Sequence, residues 1–260
     1  ISACLVGSEM CIRDRYYYFA WSNRLILYYL KNGRTNIALY EAQKMLKEAQ
    51  EEDDKTGLSR CYNIMSQIYT VKRLDSMAFE WQLKEIELTE KYDLENYNIS
   101  QTYSQISSYY INTNQPEKAL EALKKADATA YSPTQKISVQ LEYVNYYSKF
   151  GDMQAAEKIL NECKTAFDQD KRLWSIKKRL YNIEYVYYLQ SKQYPKALEA
   201  AKKQEAEELN LSESIQNSVH YLTKGKIYSN MGNMSEAIKY LQMYILSLIH
   251  ISEPTRQAEI

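Results

Sequence analysis

The side chains in this sequence whose type and spacing could do chemistry are amides. Asn23, Asn63 and Asn182 each stand six residues before a tyrosine, at Tyr29, Tyr69 and Tyr188, and Asn145 shares their helical face ahead of Tyr147. A carboxamide both donates and accepts hydrogen bonds, so a row of them can pair with the backbone of an extended peptide. Other reactive types do not assemble. Cys61 and Cys163 lie far apart with no disulfide or metal spacing, and His220 has no cysteine, histidine or carboxylate partner at ligand distance in sequence. Both cysteines read as small core residues, Cys61 at the start of a helix. The acidic runs Glu51-Glu52-Asp53-Asp54 and Glu205 to Glu208 fall where helices should end and read as solvated faces. No glycine-rich phosphate loop, nucleophile elbow or histidine dyad occurs. The sequence therefore implies no catalytic residue, no metal and no cofactor.

The elements that must position those amides are announced by a tyrosine followed nine residues later by an alanine. The pairs are Tyr29 and Ala38, Tyr69 and Ala78, Tyr110 and Ala119, Tyr147 and Ala156, Tyr188 and Ala197, Tyr228 and Ala237, spaced 40, 41, 37, 41 and 40 residues apart. A fixed offset inside a breathing period marks a repeat array. Each unit reads as two helices and a tight turn. In the last, Tyr221, Gly225 and Tyr228 precede the breaker Gly232-Asn233, and Ala237, Tyr240 and Leu241 continue the stripe at helical spacing. Pro116 and Pro195 fall in first turns, where the missing N–H costs little. The second turn, Lys72-Arg73-Leu74-Asp75, has neither glycine nor proline, so Asp75 or Ser76 is expected to cap the next helix. Only 6 Gly and 4 Pro in 260 residues agree with helix throughout. The 26 tyrosines, each an apolar ring with a polar tip, suit a thin array in which few side chains are wholly buried.

Neither end carries the repeat. One choice of codons for Leu246 to Ile260, read as its reverse complement one base out of frame, encodes Ile1 to Asp14 and the start of an arginine codon. Unrelated termini would not share DNA in this way, and that DNA is similar to a transposase-type sequencing adapter. Residues 1–15 and 246–260 are expected to be adapter-derived and 16–245 native, in units of about 16–55, 56–96, 97–133, 134–174, 175–214 and 215–245. Setting aside Arg13, Arg15 and Arg256 with Glu9, Asp14, Glu253 and Glu259 leaves 30 basic and 29 acidic residues of 33 each. That balance lacks the basic footprint of a nucleic-acid binder. The apolar run Tyr244 to Ile251 crosses the expected join and is too short for a membrane span.

The units resemble tetratricopeptide repeats. Tyr62, Tyr103, Tyr181 and Tyr221 match that family's opening aromatic, Ser66, Ser107 and Gly225 its small mid-helix residue, and the six alanines its closest helix contact. Ile26, Val144 and Tyr185 depart from the small residue, and a period near 40 against the family's usual 34 implies longer second helices. The resemblance implies an all-α fold, a right-handed superhelical array of about six antiparallel helix pairs, an α-solenoid. It also implies a concave face lined by the first helix of each unit. By register that face holds Asn23, Leu27 and Leu30; Asn63, Gln67 and Thr70; Ser104, Ser108, Ile111 and Asn112; Leu141, Asn145 and Ser148; Asn182, Val186 and Gln190; Leu222, Lys226, Ser229 and Asn230. The lining is neutral and amide-rich, and the lysine clamp by which some members hold a carboxyl terminus is replaced by asparagine.

In function, the resemblance implies a non-catalytic scaffold that takes a protein or peptide segment in its groove, with no nucleic-acid or membrane contact by this stretch. Long-period, tyrosine-rich arrays of this style are similar to the sensory part of bacterial repeat-containing histidine kinases, which implies a periplasmic location. The alternatives are the regulatory arm of a cytoplasmic helix-turn-helix transcription factor and a structural spacer that dimerises.

Overall fold

The computed structural model describes residues 2–208 and 213–257, with side chains for 17–207 and 218–248. Among the described residues it holds twelve α-helices and one 3-10 helix. They are α1 (Ser2–Lys31), α2 (Thr35–Glu51), α3 (Lys55–Val71), α4 (Asp75–Tyr92), α5 (Ile99–Asn112), α6 (Pro116–Thr129), α7 (Pro133–Phe150) and α8 (Met153–Gln169). After the 3-10 turn Lys171–Ile176 come α9 (Lys177–Gln190), α10 (Tyr194–Glu208), α11 (Glu213–Asn230) and α12 (Met234–Gln257). The chain divides into two compact units, Ile1–Tyr109 and Tyr110–Ile260. In the first, α1 packs on α2 and α3 on α4; in the second, α7 packs on α8, α9 on α10 and α11 on α12. In the pairs α3–α4 and α7–α8 the extra period length is shared by both helices, which have 17 and 18 and then 18 and 17 residues, whereas α5, α6 and α9 have 14.

The nine-residue offset is a backbone ruler. Five of the six tyrosine carbonyls accept from the N–H five residues on: Arg34 to Tyr29 at 2.9 Å, Leu74 to Tyr69 at 2.9 Å, Gln115 to Tyr110 at 2.9 Å, Gln193 to Tyr188 at 2.8 Å and Asn233 to Tyr228 at 3.0 Å. The residue between, four after each tyrosine, takes positive φ: Gly33, Arg73, Asn114, Lys192 and Gly232. This is the Schellman ending of a helix. At Tyr147 the shorter form appears, with Gly151 donating to the Tyr147 carbonyl at 3.0 Å. The residue five after each tyrosine is also the N-cap of the next helix, and in all six units its carbonyl accepts from the beat alanine at 3.0 Å. Five residues of helix ending plus four of helix beginning make nine. The second turn needs no side-chain cap: Leu74 is the N-cap, Asp75 is already helical, and Arg73 absorbs the left-handed turn.

Each alanine is the first position of its helix to meet the partner, and all six are buried. The beat tyrosines are half-buried, and Tyr29, Tyr69, Tyr147 and Tyr188 pack against the core clusters. In the first unit Ala38 joins Phe19, Ile26, Met45, Cys61, Met65 and Ile68 in one cluster; in the second Ala156 joins Leu141, Val144, Leu160, Cys163, Phe167 and Leu180. Ile26 and Val144, at the family's small position, are fully buried core residues. Gly225 holds that position in α11, where an added Cβ would stand 2.9 Å from the Leu241 side chain of α12. Cys61 is mid-helix in α3, buried as expected.

Candidate peptide-binding faces

Asn63 of α3 does not point an idle amide at solvent. Its Nδ2 donates to both carboxylate oxygens of Glu85 on α4, at 3.3 and 3.1 Å, and its Oδ1 accepts from Gln67 Nε2 at 2.7 Å. Glu85 is buried, and it also accepts from Asn96 Nδ2 at 2.9 Å and Thr102 Oγ1 at 3.1 Å. Burial pushes this carboxyl above its ordinary range, while the bonds from Asn96, Asn63 and Thr102 pull the other way. The cluster ties α3, α4, the α4–α5 connection and α5 together inside the first unit. Sequence reasoning missed Glu85. The signal was available: it stands sixteen residues after its beat tyrosine, where the matching residues of three other units are Met45, Ala126 and Cys163.

The remaining first-unit candidates are similarly placed. Asn23 of α1 is half-buried, and its Oδ1 is buried without a hydrogen-bond partner. Leu27, where α3 has Gln67, is half-buried. Ser104 is buried, and its hydroxyl donates to the Ser100 carbonyl of its own helix at 3.0 Å. It offers nothing to a ligand. Ser108 is half-buried.

In the second unit, Leu141 and Ile111 belong to the buried interior instead of an open face. Ser148 is buried as well, and its hydroxyl has no hydrogen-bond partner. Asn145 is half-buried and donates from Nδ2 to Glu142 Oε1 at 2.8 Å. Buried Glu142 also accepts from Arg179 of α9 at 2.9 Å. Two further ion pairs join successive helix pairs here, Lys164 to Glu184 at 2.8 Å and Lys224 to Glu205 at 2.5 Å. Asn182 and Gln190 of α9 and Lys226 and Asn230 of α11 are exposed. Asn230 Nδ2 donates to the Lys226 carbonyl at 2.8 Å, whereas Asn182 and Gln190 carry no hydrogen bond within the described residues.

The two cysteine thiols are pushed up to about 12, each chiefly by burial. No group of three potential metal ligands occurs among the described residues, and none of their helices is long and apolar enough to cross a membrane.

Comparison with known proteins places this architecture. The model of a family described as 26S proteasome subunit RPN7 matches residues 70–203, just over half the chain, and a tetratricopeptide repeat model matches residues 221–243. No curated protein matches the sequence. Among solved structures, PilW, a type IV pilus biogenesis factor, is similar at 16% identity and a TM-score of 0.53, over 86% of this chain and 90% of PilW. A putative kinesin light chain of Podosopora anserina with TPR-like repeats matches at 15% identity and a TM-score of 0.53, over 73% of this chain and 93% of its own. BtubC from P. vanneervenii matches at 14% identity and a TM-score of 0.50, over 84% of this chain and 92% of its own. At such identities the likeness is one of fold, and the pilus, kinesin and proteasome of those descriptions are the other proteins' own. The chain belongs, through residues 70–203, to the family that the RPN7 model describes, and it carries a tetratricopeptide repeat at residues 221–243.

Proposed function

We propose that the array is a protein-binding scaffold that takes an extended segment on the first helices of the second unit, where Asn182, Gln190, Lys226 and Asn230 are exposed. The carrying observation is that Asn182 is an uncommitted amide at the register position where Asn63 is spent on internal bonds, and that Gln190, about two turns further along the same helix, is uncommitted as well. An extended backbone presents alternating N–H and C=O groups, and amides answer both. Folds of this kind are generally non-catalytic and generally bind proteins, which supports the reading. Within it, the array is the sensory or regulatory module of a bacterial signal-transduction protein of the sensor histidine kinase type, facing the periplasm.

A defined array of unstructured twelve-residue peptides, probed with the chain and with a variant carrying Asn182→Ala and Gln190→Ala, tests the binding face. Both side chains are exposed, so the variant folds as the parent does. Retention of parental binding to every peptide would sink this face. Sequencing the source DNA beyond the codon for Ile245 tests the wider role. A membrane helix and kinase are expected, and a helix-turn-helix domain would turn the assignment to a cytoplasmic regulator.

A further inference from the structure

The turns that join the two helices of a pair can be compared position by position from the beat tyrosine, and in the first unit they mix cations with apolar side chains. The turn after α1 holds Lys31, Arg34 and Ile37; the turn after α3 holds Val71, Lys72, Arg73, Leu74 and Met77. Lys72 Nζ donates to Asn36 Oδ1 at 3.1 Å, so the two turns lie side by side. Ile37, Val71, Leu74 and Met77 are exposed at 42%, 37%, 42% and 39%. Lys31, Arg34 and Arg73 are exposed too and carry no ion pair among the described residues. Residues 31–37 and 71–77 together hold four cations and one carboxylate, Asp75. The next acidic residues along α2 and α4, Glu41 and Glu80, stand a full turn further in, and α3 has none. The second of these turns belongs to a pair with α1 and α2 already packed against it, and turns stand at helix tips, which stacking of pairs leaves open. Their exposure therefore does not depend on where the array begins.

Neither feature alone marks a site; their coincidence does. In the second unit the turn after α11 exposes Met231 and Met234 but has no cation between Tyr228 and Ile238. The turn after α9 carries exposed Lys192 and Lys196, but its apolar neighbours Tyr194 and Leu198 are half-buried. Eight residues after the beat tyrosine, where those two pairs have Glu236 and Lys196, the first unit has Ile37 and Met77. Arg73 even keeps its cation at the tip of the turn at a φ of 60°, which glycine fills more easily. Such a tip suits the boundary between lipid headgroups and acyl chains, where apolar side chains leave water while long cationic ones reach back to the phosphates.

We propose that this edge of the first unit docks on an anionic lipid bilayer, with Ile37, Leu74 and Met77 entering the headgroup boundary and Lys31, Arg34 and Arg73 meeting the lipid phosphates. Charge complementarity selects the occupant. An acidic protein would answer the cations but would also need an apolar cup matched to side chains spread over two turns, whereas a bilayer offers apolar depth to any projecting tip. Each cation at such a surface contributes about fivefold in affinity, and the apolar side chains add a part that salt does not screen. The contact is peripheral, since no described helix is long and apolar enough to cross a membrane. It departs from the expectation of no membrane contact that the resemblance implied. It lies in the other unit from Asn182 and Gln190, and neither proposal rests on the other.

Co-sedimentation of the full chain with vesicles tests this, using phosphatidylcholine alone and an equal mixture with phosphatidylglycerol. Binding to the mixed vesicles and not to the neutral ones is expected, weakening as salt rises from about 0.1 to about 0.5 M. Arg34→Gln with Arg73→Gly removes two cations and is expected to weaken binding about thirtyfold; glycine suits the left-handed position, so the fold is kept. Leu74→Ser with Met77→Gln removes the apolar tip and is expected to weaken binding about tenfold or more. A serine N-cap with a glutamine three residues on favours the start of α4, so a loss here is not a loss of folding. Lys192→Gly with Lys196→Gln makes the same change of charge on the α9–α10 turn and is expected to leave binding within about twofold. Equal binding to both kinds of vesicle overturns the proposal, and so does a control pair that weakens binding as much as the first pair or an apolar pair that leaves it unchanged. A chain that pellets with neither vesicle overturns it too, and its capture by polyglutamate would reassign the patch to an acidic protein.

Discussion

Replacing Glu85 separates the two things its carboxylate does. It accepts from Asn63, Asn96 and Thr102 and bears a charge in a buried place with no cation among the groups that act on it. Glu85→Leu removes the acceptors. Thr102 is fully buried, and a buried donor left without its acceptor costs about 1–3 kcal/mol; Asn63 and Asn96 are half-buried and reach water, adding about 1 kcal/mol each at most. Leucine returns about 1 kcal/mol through its own burial. The net loss at pH 7 centres on about 2 kcal/mol.

Glu85→Gln keeps one oxygen for Asn63 and Asn96 and turns an NH2 toward Thr102, whose hydroxyl can accept instead. It also removes the buried charge, so its cost at pH 7 is expected to stay below about 1 kcal/mol. The pH dependence has a defined sign. Because the folded carboxyl titrates above its unfolded value, the folded state holds the proton more tightly. Glu85's contribution is therefore most favourable below the unfolded pKa and declines as pH rises through the folded one. Urea unfolding of the parent and both variants at several pH values between about 4 and 8 reads all of this. The Gln variant should lack that component of the decline. A Leu variant as stable as the parent, or a Gln variant that loses as much as Leu, refutes the account of the cluster.

Arg73 and Lys192 occupy exposed left-handed positions where glycine serves at three other turns. Arg73→Gly and Lys192→Gly should each gain about 0.5–1 kcal/mol in urea unfolding, the relief of left-handed strain less the greater freedom of unfolded glycine. Ala156→Leu, at the closest contact of α7 and α8, should cost about 1–3 kcal/mol by the same measurement. Burial holds the Cys61 and Cys163 thiols near 12, so iodoacetamide at about pH 8 should leave both unlabelled in peptide-resolved mass spectra until denaturant is added. A cycle of Asn23→Ala and Leu27→Gln should show a coupling of about 0.5–1.5 kcal/mol, as the new amide supplies the donor that Asn23 Oδ1 lacks.

The helix pairs were legible because the tyrosine-to-alanine offset is local. A Schellman ending spans five residues and a helix start spans four, whatever lies across the interface. The same locality explains why the absence of glycine at Arg73 misled the capping assignment: the turn is defined by its φ value and two backbone bonds, and an arginine can be held there. The added helix length was misplaced for a related reason. A repeat period sums both helices, and only the position of each turn shows that first and second helices share the increase.

The faces were less legible because register says where a side chain points and not what stands opposite. Asn23 and Asn63 occupy one register on α1 and α3. Asn63 finds Glu85 across the pair and Gln67 one turn along its own helix. Asn23 has Met45 and Leu27 at the matching positions, so its carbonyl oxygen is buried without a donor. The identical amide is thus a structural bond in one unit and an unmet acceptor in the other. Asn182, again at that register, is exposed and joined to nothing within the described residues. Its own second helix carries Gln204 where α4 carries Glu85, so no buried carboxylate claims it. A polar residue on a helical face becomes available to a partner only where the fold has not already supplied one, and of these three asparagines that condition is met with full exposure at Asn182.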